Sequence, residues 1–494
     1  MKARVSRRQF LSAGAVAGAG LMLGDLLPQR VLAAPSASAL PPTGANAPFD
    51  HVVICMMENR SFDHFLGWLP GANGKQAGLS YLDKAGVRYP TYNLGADYEG
   101  CGYADPDHSY AGGLYEVNGG AMDGFLQSTV SVPGDTFPIG YYTQDAINVL
   151  GTLVQAFGTS DNYFCSILAA TYPNRFYQHS AQTDRSYTGT PAQSGGDAQG
   201  NSTLPAIWDQ LTPLTSSPVS GTVTGRYYST DLPFIALWGT KYASFEAPFS
   251  QFIADCSSGQ LPNVAFVDPE FLAEGQGFSR DDHPHADVRA GEFFLYTVYK
   301  AVRNSPAWNR TVLIINYDEW GGFFDHVPPP HVIDDKPLIL NTGMAPLHPP
   351  FDTTQLGIRV PLAVISPLVP AGTLIKGGAP FEHTSALRMI EWRFGLKALA
   401  ARDANARNLA EFLDLSGSTQ NAGPGGLPLP TTTTTTPCGP TNSTPHPPGA
   451  VVPEFPWTPG LTVGGAAVAA GWMAKEMRLR TKARASMPGA PPEF

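Results

Sequence analysis

One short apolar run, Thr311–Ile315, constrains the fold of this chain more than any other stretch. Its β-branched residues suit a strand that is buried on both faces, as in a parallel sheet covered by helices. Asp318 and Glu319 follow at its carboxyl end, which is where open α/β sheets bind ligands. Two glycines then allow a tight turn that brings Asp325 and His326 back towards the same crevice. The pattern predicts chemistry at the end of this strand, and a charged loop is the alternative.

A second apolar run, His51–Met57, ends in the same way and passes directly into Glu58 and Asn59. If the two strands are close in a parallel sheet, these residues share a crevice with Asp318 and Glu319. Clustered oxygen donors suit a hard divalent cation such as Ca²⁺, Mg²⁺ or Mn²⁺, and the lack of a cysteine cluster argues against structural zinc. The alternative is that Glu58 and Asn59 cap a helix that starts just beyond them.

The other periodic segments indicate an α/β fold, with a mostly parallel central sheet and helices on both faces. Further strands are predicted at Asn263–Val267 and Val360–Ser366, where apolar residues run almost continuously. Apolar residues at helical spacing predict helices over Gln144–Phe157, Ala286–Arg303 and Ala386–Phe394. We expect these elements to form one domain, since α/β sheets can be enlarged by insertions.

Histidines stand at the entrances of two of these helices. Asp281, Asp282, His283 and His285 precede the helix that starts at residue 286, and His383 precedes the last helix. Imidazole and carboxylate groups in such positions can serve acid/base chemistry, and we favour that role for the first group. They can also be simple capping groups, and His383 taken alone is more typical of a capping or core residue.

Thr171 stands directly before Tyr172 and Pro173, and proline is common in the first turn of a helix. Its hydroxyl would then lie near free backbone amides, which bind phosphate. A hydroxyl in that place could attack phosphorus and have the resulting phosphate held by those amides. The alternative is that Thr171 is a plain N-cap.

The first residues, Met1–Ala34, carry paired arginines, an apolar run rich in glycine and alanine, and small residues suited to signal-peptidase cleavage. The run is too short to span a membrane, and SRRQFL at Ser6–Leu11 predicts a twin-arginine signal. An ordinary Sec signal is the alternative. We therefore expect a folded protein to be exported to the extracellular space, the cell surface or the periplasm.

Removal of this segment takes five Lys/Arg and one Asp from totals of 31 and 41, which leaves 26 basic and 40 acidic residues and a formal charge of −14. Such a chain is not expected to bind nucleic acid, which needs basic patches. Transient contact with a neutral or zwitterionic lipid surface remains open. The five cysteines have no metal-type spacing, and we expect one or two disulfides whose pairing the sequence does not reveal.

Composition divides the exported chain into a short linker over residues 35–48, a globular domain over 49–415 and two later segments. Residues 416–460 are rich in threonine and proline, which predicts an extended linker without a core. Residues 461–494 contain an apolar patch too short to span a bilayer, followed by basic residues. We expect this last segment to be a mobile tail with a weak surface contact.

Six stretches of the globular domain, taken as a set and in this order, resemble the bacterial phosphoesterase family. That family contains bacterial phospholipases C and respiratory-burst-inhibiting acid phosphatases, and its core resembles alkaline phosphatase. The stretches are ENRSFDHFLG (Glu58–Gly67), DPDHSY (Asp105–Tyr110), TYPNRFY (Thr171–Tyr177), DDHPHADVRAGE (Asp281–Glu292), DEWGGFFDHVPPP (Asp318–Pro330) and EHTSALRMIEWRFG (Glu382–Gly395).

The resemblance implies roles for particular residues. Thr171 would be the nucleophile, as in the phospholipase branch, whereas the acid phosphatases tend to have serine there. Trp320 and the additional His285 depart from the usual pattern. The metal would be held by Glu58, Asn59, Asp318 and Glu319, and the phosphate would be surrounded by His108, His283, His326 and His383.

The function implied is a secreted, metal-dependent hydrolase of phosphoric esters. We expect a phospholipase C that forms a phospho-threonine and releases diacylglycerol and a phosphorylated head group. An acid phosphatase is the alternative, and an exported metal-binding or surface protein without catalysis is less favoured. Choline could be held by cation–π contact with tyrosines, which are as often core or surface residues: Tyr141, Tyr142, Tyr227 and Tyr228. The oligomeric state and the identity of the metal are left open.

Overall fold

The protein is represented by a computed structural model, which describes residues 40–95, 97–128, 131–183, 202–214, 221–272, 274, 277–335 and 352–430. The predicted signal, Met1–Ala34, and the tail over residues 461–494 lie outside these ranges. So do residues 35–39 of the first predicted linker and residues 431–460 of the second. The described ranges therefore cover most of the globular domain and the beginning of the second linker.

Most of the strands belong to one central sheet. The strands are β1 (His51–Met57), β2 (Ser80–Leu82), β3 (Arg88–Pro90), β4 (Tyr92–Asn93), β5 (Gly140–Tyr141), β6 (Gly158–Ser160), β7 (Thr212–Pro213), β8 (Thr224–Ser229), β9 (Glu246–Pro248), β10 (Val264–Val267), β11 (Thr311–Tyr317), β12 (Leu362–Ile365) and β13 (Thr373–Ile375). The central sheet has the order β13-β6-β12-β11-β1-β10-β8-β7, with β9 paired to β8. The strand pairs β2-β3 and β4-β5 form two small separate sheets.

The mostly parallel sheet predicted from the apolar runs is confirmed. β1 pairs in parallel with both β10 and β11, so the two runs that end in acidic residues are direct neighbours. β12 is the exception, because it runs antiparallel to β11 and to β6. Every residue of β10, β11 and β12 is buried, as expected for strands that are covered on both faces.

Eight α-helices lie within the described ranges: α1 (Phe62–Leu66), α2 (Tyr110–Val117), α3 (Asn148–Ala156), α4 (Thr171–Ser180), α5 (Phe249–Ser258), α6 (Val288–Arg303), α7 (Thr384–Phe394) and α8 (Ala401–Asn405). They form two packed groups, one of α3, α5 and α6 and one of α4, α7 and α8. None of these helices is long and apolar enough to cross a membrane.

The start of α3 lies well after the point that its apolar spacing predicts. The spacing indicates a start at Gln144, but α3 starts at Asn148. The amides of Val149 and Leu150 donate to the carboxylate of Glu292, the latter at 3.1 Å. This buried side chain of α6 satisfies the first turn of α3, because free amides at a helix start need acceptors.

The start of the segment over residues 416–460 remains in contact with the domain. The side-chain amide of Asn421 donates to the carbonyls of Ala156 and Val369, each at 2.9 Å. Arg303 of α6 donates to the carbonyl of the residue after Asn421 at 3.2 Å. These bonds join the beginning of this segment to the end of α3, to the loop between β12 and β13, and to α6.

The described cysteines divide into two classes. Cys101 is disulfide-bonded, whereas Cys55, Cys165 and Cys256 are buried free thiols. The bond at Cys101 agrees with the expectation of one or two disulfides.

Candidate active site

The carboxyl ends of three neighbouring strands bring acidic residues together. Glu58 follows β1, Asp268 follows β10 and Asp318 follows β11. The amide of Asn59 donates to Asp318 Oδ1 at 3.2 Å, and the next amide along the chain donates to the carbonyl of Glu319 at 3.1 Å. The structure therefore gathers Glu58, Asn59, Asp318 and Glu319 at one edge of the sheet, and all four are fully buried.

The backbone at this edge is held in unusual conformations. Asn59 has a φ of +59°, a left-handed conformation that asparagine tolerates better than most residues. Gly321 and Gly322 have φ values of +64° and +70°. A Cβ atom on Gly321 would lie 2.1 Å from the carbonyl oxygen of Asn59. The glycine pair is thus required for both its conformation and the close approach of the two strand ends.

Arg175 lies among these carboxylates. Its Nε donates to Asp318 Oδ2 at 3.0 Å, its Nη2 to Glu58 Oε1 at 3.0 Å, and its Nη1 to Asp268 Oδ1 at 3.4 Å. Burial opposes the charge of the guanidinium, but the three carboxylates together hold the pKa of Arg175 above its ordinary value. Sequence reasoning missed Arg175 and Asp268, although the first stands one helical turn after Thr171.

Thr171 is the first residue of α4, and the N-cap is Ala170. Because the side chain of Thr171 is not at the N-cap position, the plain capping alternative is wrong. The Thr171 hydroxyl donates to Asn59 Oδ1 at 3.5 Å, which is the long end of the hydrogen-bond range. The structure therefore places this hydroxyl in the first turn of a ten-residue helix and beside a predicted metal ligand.

The acidic side chains at this edge offer oxygen donors of the kind that bind a divalent cation. The carboxylates of Glu58, Asp268 and Asp318 meet at one guanidinium, which offsets only part of their charge, and the buried carboxylate of Glu319 accepts from the amide of Gly321 at 2.6 Å. Burial raises the pKa of Asp268 to about 7, the charge of Arg175 opposes this shift, and the neighbouring Asp318 adds to it. Buried charges are normally paired or coordinate metals, and the oxygen donors here are those that Mg²⁺, Mn²⁺ and Ca²⁺ prefer.

His383, the N-cap residue of α7, contacts the same edge. Its Nε2 bonds to the carbonyl of Asp318 at 2.7 Å, and its Nδ1 bonds to the hydroxyl of Tyr163 at 3.0 Å. Burial lowers the pKa of His383 to about 4, so the ring is neutral at ordinary pH. Both nitrogens are engaged, which suits orientation of Asp318 better than proton donation.

His108 and His283 lie on two loops. His108 directly follows residues that pack against the second glycine of the turn after β11, and His283 belongs to the loop that accepts from the amide of Glu58. Nδ1 of His108 donates to the carbonyl of Pro106 at 2.7 Å, which makes Nε2 the basic nitrogen of the neutral ring. Nε2 of His283 lies 3.8 Å from an oxygen of Asp105 and 4.0 Å from one of Glu274. Both histidine side chains are almost completely buried.

His326 belongs to a different cluster. Its Nδ1 lies 2.5 Å from Asp63 Oδ2, and its Nε2 lies 3.1 Å from the side chain of Asn73. Arg359 joins the cluster by donating to both Asp63 and Asp325. Asp325 and His326 follow the turn at the glycines, as predicted. Their hydrogen bonds are made with Asp63 of α1 and with Arg359 before β12, and not with the acidic edge of the sheet.

The two departures from the family pattern also have defined contacts. Trp320 is fully buried, and its Nε1 donates to the carboxylate of Glu116 on α2 at 2.6 Å. His285 contacts the carbonyl of Tyr103 at 3.2 Å, and burial lowers its pKa. Trp320 therefore ties the end of β11 to the segment that carries His108.

Three of the four tyrosines considered for choline binding have other roles. Tyr142, Tyr227 and Tyr228 are fully buried, so the alternative of a core role holds for them. Tyr227 donates to the carboxylate of Asp268, which makes it part of the support of the acidic edge. A tyrosine that binds a head group and a tyrosine that packs in the core have the same composition. Only the neighbours that the fold brings together distinguish these two roles.

Comparisons with known proteins identify relatives of the chain by sequence. Residues 49–397 match the model of the Phosphoesterase family. Non-specific phospholipase C1 of Arabidopsis thaliana is 32% identical over 415 residues, covering 78% of this chain and 75% of that protein. Phospholipase C A of Mycobacterium tuberculosis is 31% identical over 442 residues, covering 79% and 81%.

One solved structure, of a protein in the alkaline phosphatase superfamily from Vibrio parahaemolyticus, aligns over 75% of this chain and 71% of that chain. The TM-score is 0.32 and the identity 8%, values that carry no argument, so the fold class rests on the sheet itself. The fold, the site and the sequence relatives define a hydrolase that acts on phosphoric ester bonds. The chain belongs to the Phosphoesterase family.

Proposed function

We propose that this protein is a secreted, metal-dependent phospholipase C that forms a phospho-threonine at Thr171. The observation that carries the proposal is the position of the Thr171 hydroxyl, which lies in the first turn of α4 and contacts Asn59. The amides of a helix start favour a phosphate group, so the same turn can hold the product of the attack. Relatives named phospholipase C favour a phospholipid as the substrate.

In the proposed reaction, the Thr171 oxygen attacks phosphorus while the bond from phosphorus to the diacylglycerol oxygen breaks. The departing oxygen takes the proton that the Thr171 hydroxyl gives up on attack. Water then cleaves the phospho-threonine: its OH stays on the phosphorus of the released head group, and its other hydrogen restores the Thr171 hydroxyl. A divalent cation would supply Lewis-acid stabilisation of charge on the phosphoryl oxygens, and it would be held by Glu58, Asn59, Asp318 and Glu319.

The contacts of the histidines suggest how proton transfer is divided. His108 and His283 are the better candidates for carrying this proton from the Thr171 hydroxyl to the departing oxygen, because both nitrogens of His383 are engaged and its pKa is about 4. We assign to His383 the orientation of Asp318 through its backbone carbonyl. We assign to the Asp63 cluster, which includes His326, the support of α1 and the turn beyond Gly322.

Export by the twin-arginine route is part of the same proposal. It rests on the paired arginines and apolar run of Met1–Ala34. The disulfide at Cys101 supports it, because such bonds persist mainly outside the reducing cytosol. Fractionation of cells that carry the protein with Arg7 and Arg8 replaced by lysine tests it, and export unchanged by this replacement would contradict it.

The function is tested with the purified protein on phosphatidylcholine and p-nitrophenyl phosphate, each with and without a chelator. We expect diacylglycerol release that the chelator abolishes and that added divalent cation restores. Cleavage of the monoester alone would replace the proposal with an acid phosphatase. No cleavage of either would exclude the proposed reaction.

Thr171→Val tests the covalent step, because valine keeps the branched shape of the side chain and removes the hydroxyl. We expect turnover to fall by about 1,000-fold or more while the protein stays folded. Thr159→Val is the matched control, since Thr159 is a buried threonine of β6 that donates to the carbonyl of Leu362. Substantial activity in Thr171→Val, or no phosphate on Thr171 in rapidly quenched wild-type protein, would rule out the phospho-threonine route.

A further inference from the structure

A second group of acidic side chains lies next to the site. It consists of Glu58 and two acidic residues from the segment before α6. Glu58, Glu274 and Asp281 each place one carboxylate oxygen within 4.8 Å of the others, and all three are buried. The backbone fixes part of this arrangement, because the amide of Glu58 donates to the carbonyl of Asp281 at 2.8 Å. Ser279 and the amide of His283 occupy the other oxygen, Oδ1, of Asp281 at 2.6 and 2.9 Å.

His283 and Asp105 extend this group. Nε2 of His283 lies 4.0 Å from an oxygen of Glu274 and 3.8 Å from Oδ2 of Asp105. These separations are too long for hydrogen bonds, but they place an imidazole nitrogen between two carboxylates. The side chains of Asp105 and His283 are 2% and 3% exposed.

Hydrogen bonding does not account for all of these oxygens. Within the described part of the chain, neither carboxylate oxygen of Asp105 has a hydrogen-bond partner, and the same is true of Oδ2 of Asp281. Arg60 lies alongside, but it donates to the carbonyls of Asp282 and His283 and not to these acids. A buried carboxylate without a donor is costly, and an ion or a water molecule is the usual explanation.

We propose that Glu58, Glu274, Asp281, His283 and Asp105 form a second divalent-cation site beside the one already described. An imidazole among several carboxylates favours an ion that accepts both nitrogen and oxygen, such as Zn²⁺ or Mn²⁺, over Mg²⁺. Glu58 offers an oxygen to each site, so the two ions are neighbours. The inference rests on the proposed metal-dependent function and adds to it a centre of two ions.

The test is the metal content of the full-length protein after loading with Zn²⁺ or Mn²⁺ and removal of loosely bound ions. Wild type is expected to retain two ions per chain. Asp281→Asn and Glu274→Gln are each expected to retain one, because both side chains belong to the second site alone. Glu270→Gln is the matched control and should retain two, since Glu270 is exposed and pairs with Arg280. Circular dichroism and thermal unfolding establish that each variant is folded.

The outcomes separate this inference from the proposed function. A single ion in wild type that Asp281→Asn and Glu274→Gln still retain would overturn the second site. Loss of all metal from these two variants would also overturn it, since that result indicates one shared site. Hydrolysis of phosphatidylcholine is measured on the same samples, so an active protein with one ion would contradict only the second site. An inactive protein with two ions would contradict only the proposed function.

Discussion

Replacement of Arg175 by methionine removes the guanidinium that contacts three carboxylates at the edge of the sheet. Methionine has a similar length and suits a helix, so α4 is expected to remain. The substitution eliminates the ion pairs with Asp318 and Glu58 at 3.0 Å and with Asp268 at 3.4 Å. The side chains involved are at most 5% exposed.

Loss of one partner from a buried ion pair leaves an uncompensated charge and typically costs about 3 to 5 kcal/mol of the free energy of unfolding. We expect a cost in this range at pH 8 with chelator present. The cost should be smaller at pH 6. Asp268 already has a pKa raised by burial to about 7, and loss of Arg175 raises it further. The folded variant then retains a proton that the folded wild type releases above pH 7, so its stability falls more steeply as the pH rises.

Urea unfolding of both proteins at pH 6 and pH 8 measures these differences. Arg226→Met is the control, because Arg226 pairs with a single carboxylate, Asp255, and is 19% exposed. That change should cost about 1 kcal/mol. Added divalent cation should reduce the deficit of Arg175→Met, since it supplies positive charge to the same acids. A deficit below about 1 kcal/mol at both pH values would refute the account of Arg175 as the counter-charge of this edge.

Two further predictions concern Glu292 and Gly321. Burial raises the pKa of Glu292 from 4.5 to about 8. The folded protein therefore keeps a proton that the unfolded chain releases, and the free energy of unfolding falls as the pH rises from 5 to 7. Glu292→Gln should remove about 2 to 3 kcal/mol of this fall, as measured by urea unfolding at the two pH values. Equal pH slopes in wild type and variant would contradict it. Gly321→Ala should lower the free energy of unfolding by about 1 to 3 kcal/mol more than Gly377→Ala does, and it should lower the rate of substrate hydrolysis. Both glycines have a positive φ, but only a Cβ atom on Gly321 would meet a backbone carbonyl. Equal costs in thermal unfolding would contradict this.

Local sequence predicted the sheet well where a strand is buried on both faces. The runs at residues 51–57 and 311–315 are short and almost continuously apolar, which is typical of a strand that is buried on both faces. Both runs are strands in the structure. Their polar ends were predicted to meet, and the bond from Asn59 to Asp318 confirms it. The direction of β12 was not predictable, because an apolar run has the same composition in either direction.

Long-range contacts explain what the sequence did not reveal. Arg175 and Asp268 lie 93 residues apart, and neither is unusual in its local segment. The start of α3 depends on Glu292, which is 142 residues from Leu150. His326 follows the acidic end of β11 in the sequence. It is hydrogen-bonded to Asp63, which is 263 residues away in the sequence, and it therefore belongs to a different cluster. Such pairings depend on the whole fold, so no window of sequence contains them.

The attachment of Asn421 limits where the protein can be shortened. A boundary drawn from composition alone falls at residue 415, before the side chain that holds the carbonyls of Ala156 and Val369. A chain cut there would leave those two carbonyls to water and would free the end of α6 at Arg303. Expression of the enzyme without its threonine-rich extension should therefore retain residues up to at least Gly423.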